Sequence, residues 1–145
     1  MTRPAIRALG LDLGSKRIGV AIGDRTGTIA TPLQVLHRSG STRRDHEAIA
    51  KLVLEEEADV VVVGLPLNMN GSEGPAAKAA IGEAAALATV VHVPVVTFDE
   101  RRTTVTADQA MMEMNMRAQA RRRIVDKIAA AVMLQNWLDA GGPAQ

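Results

Sequence analysis

Three carboxylates stand at positions where an α/β chain keeps its chemistry. Asp12 sits in LGLDLGSKRIGVAIGD (residues 9–24), inside a glycine-spaced apolar strand and just before a tight turn. Glu100 follows the apolar run Val93 to Phe98, and Asp126 falls within a long helical pattern near the C-terminus. A carboxylate on a buried strand is unfavourable unless it is paired or holds a cation. Function in open α/β sheets gathers beyond strand ends, so Asp12 and Glu100 are candidate neighbours. Spacing alone does not bring Asp126 to them. If the three converge, like charges raise one another's pKa unless a cation neutralises them. An all-oxygen, hydrated donor set suits Mg²⁺ or Mn²⁺ rather than zinc. Two such ions about 3.5–4 Å apart can activate water and stabilise the leaving oxygen in phosphodiester cleavage.

Each carboxylate also has a plainer reading. Asp12 could accept hydrogen bonds from the turn amides of Ser15 and Lys16. Glu100 could pair with Arg101 or Arg102, or favour the positive end of the following helix. Asp126 could pair with Arg122 or Arg123 one turn earlier, an interaction of only about 0.2–0.5 kcal/mol. For Asp126, taken by itself, this plainer reading is the better one.

The elements that must position these groups follow from periodicity. Ala5 to Leu13 reads as a strand in which Leu9, Leu11 and Leu13 alternate with Gly10, Asp12 and Gly14. After the Gly14-Ser15-Lys16 turn, Arg17 to Gly23 reads as a second strand. One of its faces carries Ile18, Val20 and Ile22, the other Gly19, Ala21 and Gly23. Asp12 thus belongs to a face stripped of bulk, with room for another backbone, a metal or a phosphate. Ile29 to Leu36, interrupted by Pro32, is expected at a sheet edge. Ser41 to Glu57 reads as a helix with Ile49, Leu52 and Val53 inward. Asp59 to Leu65, with four consecutive valines, has the pattern of a strand buried on both faces. Val93 to Phe98 is expected to be buried likewise.

Asn68 to Gly74 is turn-rich and expected to be mobile, leading to an alanine-rich helix from Pro75 to about Ala88. Thr106 and Gln109 fit the start of a further helix. A last helix is expected over 117–138, ended by Gly141-Gly142-Pro143. The order β-β-β-α-β-α-β-α-α predicts an α/β mixed sheet, antiparallel then parallel, flanked by helices. Residues 1–140 are expected to form one domain and 141–145 a tail.

Composition narrows the function classes. The 145 residues are 47% hydrophobic and 23% charged, a globular profile. With no cysteine, disulfides, thiolate chemistry and Cys-type zinc sites are excluded. No apolar run is long enough to span a membrane or form a secretory h-region, and a cytoplasmic location is expected. One Phe, one Trp and no Tyr leave no stacking platform for single-stranded bases. Net charge is only +1, yet arginines cluster at Arg43-Arg44, Arg101-Arg102 and Arg121-Arg122-Arg123. Such clusters can neutralise phosphates or simply be solvated faces. His37, His46 and His92 show no metal-site spacing, and His92, in an apolar run, reads as structural. Met111, Met112, Met114 and Met116 read as core filler in preference to a contact surface. The glycines of the first hairpin do not form a dinucleotide fingerprint, which needs a strand-to-helix turn.

Four blocks in one order carry a resemblance: LGLDLGSKRIGVAIGD (9–24), GLPLNMNGSEGP (64–75), FDERRTT (98–104) and VDKIAAAVMLQNWL (125–138). Together they resemble the YqgF/RuvX family, Holliday junction resolvases and pre-16S rRNA nucleases related to ribonuclease H. The resemblance implies an RNase H-like fold with a central mixed five-stranded sheet. It also implies a Mg²⁺- or Mn²⁺-dependent endonuclease acting on four-way junction DNA, the 5′ end of pre-16S rRNA, or both. By motif position Asp12, Glu100 and Asp126 match the family's acidic triad, as catalytic and metal-holding residues, against the plainer reading of Asp126. Lys127 stands where many members carry another acid, leaving three carboxylates rather than four. Arg102 stands where leucine is common.

Lys16, Arg17, Asn68, Asn70, Arg101, Arg102, Arg121, Arg122 and Arg123 are the expected nucleic-acid contacts. A junction has two-fold character and suits a homodimer, whereas an rRNA nuclease can act as a monomer. Two competing readings follow from the same residues. Actin-like ATPases and sugar kinases open on a similar D-x-G hairpin, but use two such domains around a cleft. A non-catalytic nucleic-acid-binding or ribosome-assembly factor would keep the fold without the activity.

Overall fold

The computed structural model describes residues 6–100 and 118–144, and side chains within 118–127 lie outside that description. Strands β1 (Ala8–Leu13), β2 (Arg17–Gly23), β3 (Ala30–His37), β4 (Val60–Leu65) and β5 (Val95–Asp99) form one sheet in the order β3-β2-β1-β4-β5. β1 to β3 are an antiparallel meander, and β4 and β5 add in parallel to β1. Helices α1 (Thr42–Glu55), α2 (Pro75–Leu87) and α3 (Ala118–Asp139) complete the described elements, with a short 3₁₀ turn at Gly142–Ala144. The fold is the expected RNase H-like mixed sheet.

Local chemistry sets the boundaries. The Ser41 side chain accepts from the Arg44 amide at 3.3 Å and caps α1. Pro75 opens α2, where its missing N–H has no partner to lose. Gly142 leaves α3 at a φ of +55°, left-handed geometry that favours glycine. Pro32 lies on edge strand β3, beside a register shift opposite Val20 and Ala21, where a lost donor disturbs the ladder least.

The sheet divides two cores. Leu9, Leu11, Ile18, Val20, Val61 and Val63 pack against Ile49, Leu52 and Val53 of α1 and Ala84 and Leu87 of α2. On the other face Ala8, Ala21, Val60, Val62 and Phe98 meet Ala130, Met133, Leu134 and Trp137 of α3. The stripped face of the hairpin is therefore filled by a helix along most of its length. A Cβ on Gly10 would fall 2.9 Å from the Leu134 Cβ and 3.2 Å from its Cδ2. Because the blocking atom is fixed to the α3 backbone, Gly10→Ala is expected to destabilise the fold by about 1–3 kcal/mol, read as a shift in the urea midpoint.

Two expectations need correction. β5 is an edge strand, not a strand buried on both faces: Val96 is 36% exposed and Thr97 is exposed, because only β4 flanks it among the described strands. His92 is exposed in the loop before β5, since the apolar run around it divides between a turn and the strand. The Asn68–Gly74 segment forms the expected turn: the Asn68 amide donates to the Ser72 carbonyl at 3.0 Å, and the Ser72 amide to Asn70 Oδ1 at 3.0 Å. The expected helix start at Thr106 and the four methionines from Met111 to Met116 lie outside the described residues.

Candidate active site

Asp12 is half-buried near the carboxyl end of β1, opposite Gly19 of β2. β1 and β4 pair as far as Leu11 with Val63, and one step further Asp12 is level with Gly64. Gly64 in turn pairs with Phe98 of β5. Two residues beyond Phe98, Glu100 folds its side chain back over Gly64. A Cβ on Gly64 would meet Glu100 Oε1, and would lie 2.7 Å from its Cδ and 2.9 Å from its Cγ. Gly64 has no left-handed φ, so the position is glycine because a carboxylate passes over it.

Asp12 and Glu100 also interact electrostatically. Burial pushes the Glu100 carboxyl up to about 7, with the charges of Asp12 and then Asp99 adding to the effect. A raised carboxyl makes the folded state bind more protons than the unfolded one between the ordinary value of 4.5 and about 7. Stability is therefore expected to fall as pH rises through that window, by about 3 kcal/mol in total, and to be flat in this group's contribution above it. Melting temperatures at pH 5 and pH 8 check this, and Glu100→Gln should remove most of the slope.

The third carboxylate depends on α3. A Cβ on Gly23 would lie 3.8 Å from Leu138 Cδ1, and one on Gly10 would meet Leu134, so α3 runs antiparallel to β1. One-turn steps from Leu138 through Leu134 and Ala130 lead to position 126. The helix backbone thus carries that position toward the carboxyl end of β1. The Asp126 side chain lies outside the described residues, as do those of Arg121, Arg122 and Arg123 and all of Arg101 and Arg102.

Among the described residues no group of three or more acids or histidines is poised to hold a metal. The pair that is described still fits a hard divalent cation. Both donors are carboxylates, and a cation would offset both the burial and the neighbouring Asp12 charge that raise the Glu100 carboxyl. The other expected contacts ring the same end of the sheet. Lys16 is exposed and Arg17 half-buried on the β1–β2 turn, which Gly14 closes by donating to the Arg17 carbonyl at 2.9 Å. Asn68 and Asn70 are exposed on the turn after β4. Arg43, by contrast, is on α1 and reaches Glu47 at 3.2 Å, as a solvated helix face would.

Sequence reasoning missed a polar cluster behind the turn. The Arg38 guanidinium holds Glu83 of α2 through two bonds, at 2.7 and 2.8 Å, and donates from Nε to the Gly14 carbonyl at 2.9 Å. His46 of α1, only 2% exposed, sits 2.8 Å from Glu83 Oε2. Burial pushes the Glu83 carboxyl up, but hydrogen bonds from Arg38 and His46 outweigh it and hold the carboxyl below its ordinary value. No spacing rule links positions 38, 46 and 83. Gly64 was findable, since a glycine inside a valine strand signals close approach.

A mixed sheet in this order, with helices on both faces and acids at the ends of β1 and β5, defines an RNase H-like α/β protein. RuvC of Thermus thermophilus, solved in complex with a Holliday junction substrate, shares the fold. Its TM-score is 0.59 at 16% identity, covering 94% of this chain and 97% of that one. The chain belongs to the RuvX family, whose model, described as Holliday junction resolvase, matches residues 6–140. Similar relatives are each provisionally named pre-16S rRNA nuclease. One from Mycobacterium sp. (strain KMS) is 46% identical, over 92% of this chain and 79% of the relative. One from Myxococcus xanthus is 44% identical, over 95% and 91%.

Proposed function

We propose that this chain is a metal-dependent endonuclease that hydrolyses phosphodiester bonds in structured nucleic acid. Its substrate would be four-way junction DNA, the 5′ end of the 16S rRNA precursor, or both. The observation that carries the reading is the meeting of Asp12 and Glu100 at the sheet's carboxyl end, where Glu100 lies over Gly64, level with Asp12, and the Asp12 charge adds to burial in raising it. Family membership and the names of the relatives support the substrate class.

Asp12, Glu100 and Asp126 would hold Mg²⁺ or Mn²⁺. When bound, the cation supplies the positive charge that activates a water and stabilises the leaving oxygen. Asp12 contributes from a strand and Asp126 from a helix, so two of the three ligands ride on regular elements. Lys127, in place of a fourth acid, keeps the donor set at three carboxylates. Lys16 and Arg17 on the hairpin turn and Asn68 and Asn70 on the β4 turn would contact the phosphate backbone. Arg101, Arg102 and Arg121 to Arg123 would extend that contact. Residues 1–140 would form the nuclease domain, with 141–145 a tail. Among the described residues no helix is long and apolar enough to cross a membrane.

The test pairs the two substrates. Wild-type protein is incubated with junction DNA and with precursor RNA, in Mg²⁺ or Mn²⁺ and in chelator. Metal-dependent cleavage of at least one is expected. Binding of both with cleavage of neither would replace the nuclease with a non-catalytic binding or assembly factor. Replacing Arg121, Arg122 and Arg123 together by alanine is expected to weaken binding and reduce the slope of log K against log salt by roughly two to three. An unchanged slope would remove that cluster from the interface.

A further inference from the structure

Two arginines staple the β1–β2 hairpin, one at each end. Arg7, just before β1, donates from Nε to the Gly23 carbonyl at 3.0 Å and from Nη1 to the Glu56 carbonyl at 2.9 Å. Arg38, just after β3, works at the other end. Its Nε holds the Gly14 carbonyl at 2.9 Å, and its backbone amide donates to the Lys16 carbonyl at 2.9 Å. Both grips fall on the turn that begins two residues after Asp12.

The two staples differ in what stands behind them. Arg7 reaches the Glu56 carboxylate at 3.5 Å, a long and single contact. Arg38 is locked by two bonds to Glu83, and Glu83 is locked by His46 at 2.8 Å. A bidentate fork fixes the guanidinium plane as well as its position. The turn is thereby tied to α2 and, through His46, to α1. A chain of this kind sets where the end of β1 lies relative to the rest of the sheet. Misplacement of a reacting group by about 1 Å can lower a rate on the order of a hundredfold.

We propose that Arg38 and Glu83 are positioning residues: through the Gly14 carbonyl they hold the Asp12 end of β1 in the geometry that the cleavage reaction needs. The role rests on the nuclease reading of Asp12 given above. Neither side chain is required to touch the substrate. Arg38→Lys keeps the charge and loses the fork, and Glu83→Gln keeps the shape and loses the charge. Arg7→Lys makes the same change at the far end of the same hairpin.

The test compares these three variants with wild type in three measurements. In steady-state cleavage, Arg38→Lys and Glu83→Gln are expected to lower kcat by about 10–100-fold with KM within about twofold. In calorimetry with Mn²⁺ alone, both should weaken binding by about tenfold. In hydrogen exchange on the metal-free protein, the Gly14 amide should exchange faster. Arg7→Lys should lower the melting temperature while leaving kcat, Mn²⁺ affinity and Gly14 exchange near wild type. If Arg38→Lys and Glu83→Gln only lower the melting temperature, as Arg7→Lys does, the positioning role is overturned. If wild type cleaves neither substrate, the nuclease reading fails by itself. Mn²⁺ affinity and Gly14 exchange then decide whether the clamp holds the Asp12 end of β1.

Discussion

Asp12→Asn is expected to lower kcat for cleavage of junction DNA or precursor RNA by about a thousandfold or more. Substrate affinity should stay within about threefold, because one neutralised carboxylate removes no phosphate contact. Asparagine has nearly the same size and can stay in the same strand position opposite Gly19. What it loses is the charge that would help hold a divalent cation at the end of β1. The same substitution should raise the stability of the metal-free protein near pH 8. It removes a neighbouring charge that now pushes the Glu100 carboxyl upward, so Glu100 ionises at less cost. A dead enzyme that melts higher is the signature of a site that stores repulsion for a ligand. Metal-dependent cleavage surviving in Asp12→Asn would refute the mechanism.

Gly64→Ala is the second large effect, and it separates the site from the fold. The new methyl would fall 2.7 Å from Glu100 Cδ and 2.9 Å from its Cγ, so the Glu100 side chain must leave. The β4 backbone can stay, because an ordinary φ at 64 suits an L residue. Cleavage is expected to fall by about a hundredfold, the cost of misplacing one charged group. Stability should change by less than about 1 kcal/mol, as expected where the clash is met by a side chain at the end of the sheet rather than by core backbone. The decline in stability between pH 5 and pH 8 should shrink, since a displaced Glu100 returns toward its ordinary ionisation. Full activity with the pH slope intact would show that Glu100 does not need to lie over Gly64.

These two substitutions also mark where sequence and structure divide the information. The alternation of Leu9, Leu11 and Leu13 with Gly10, Asp12 and Gly14 placed Asp12 on the bare face of a strand, because a strand's period of two is local. The valine run at 60–63 predicted a strand covered on both faces, and β4 is covered by α1 and α2 on one side and α3 on the other. The run from Val93 misled by the same rule: apolar composition does not say whether a second neighbour strand exists, and β5 has β4 alone among the described strands. The bare face was legible as space, but not as the space that α3 fills.

The sequence by itself determined the order of the described strands and helices, the faces of the hairpin, the family and the three acids worth testing. These follow from local periodicity, turn chemistry and motif order. Only the tertiary structure decided that Glu100 crosses back over Gly64 beside Asp12, and that Arg38, His46 and Glu83 form one clamp behind the turn. Those contacts join residues 36 to 45 positions apart, or meet only where parallel strands β4 and β5 come into register. Their energies depend on distance and burial in three dimensions. No spacing along the chain encodes either quantity.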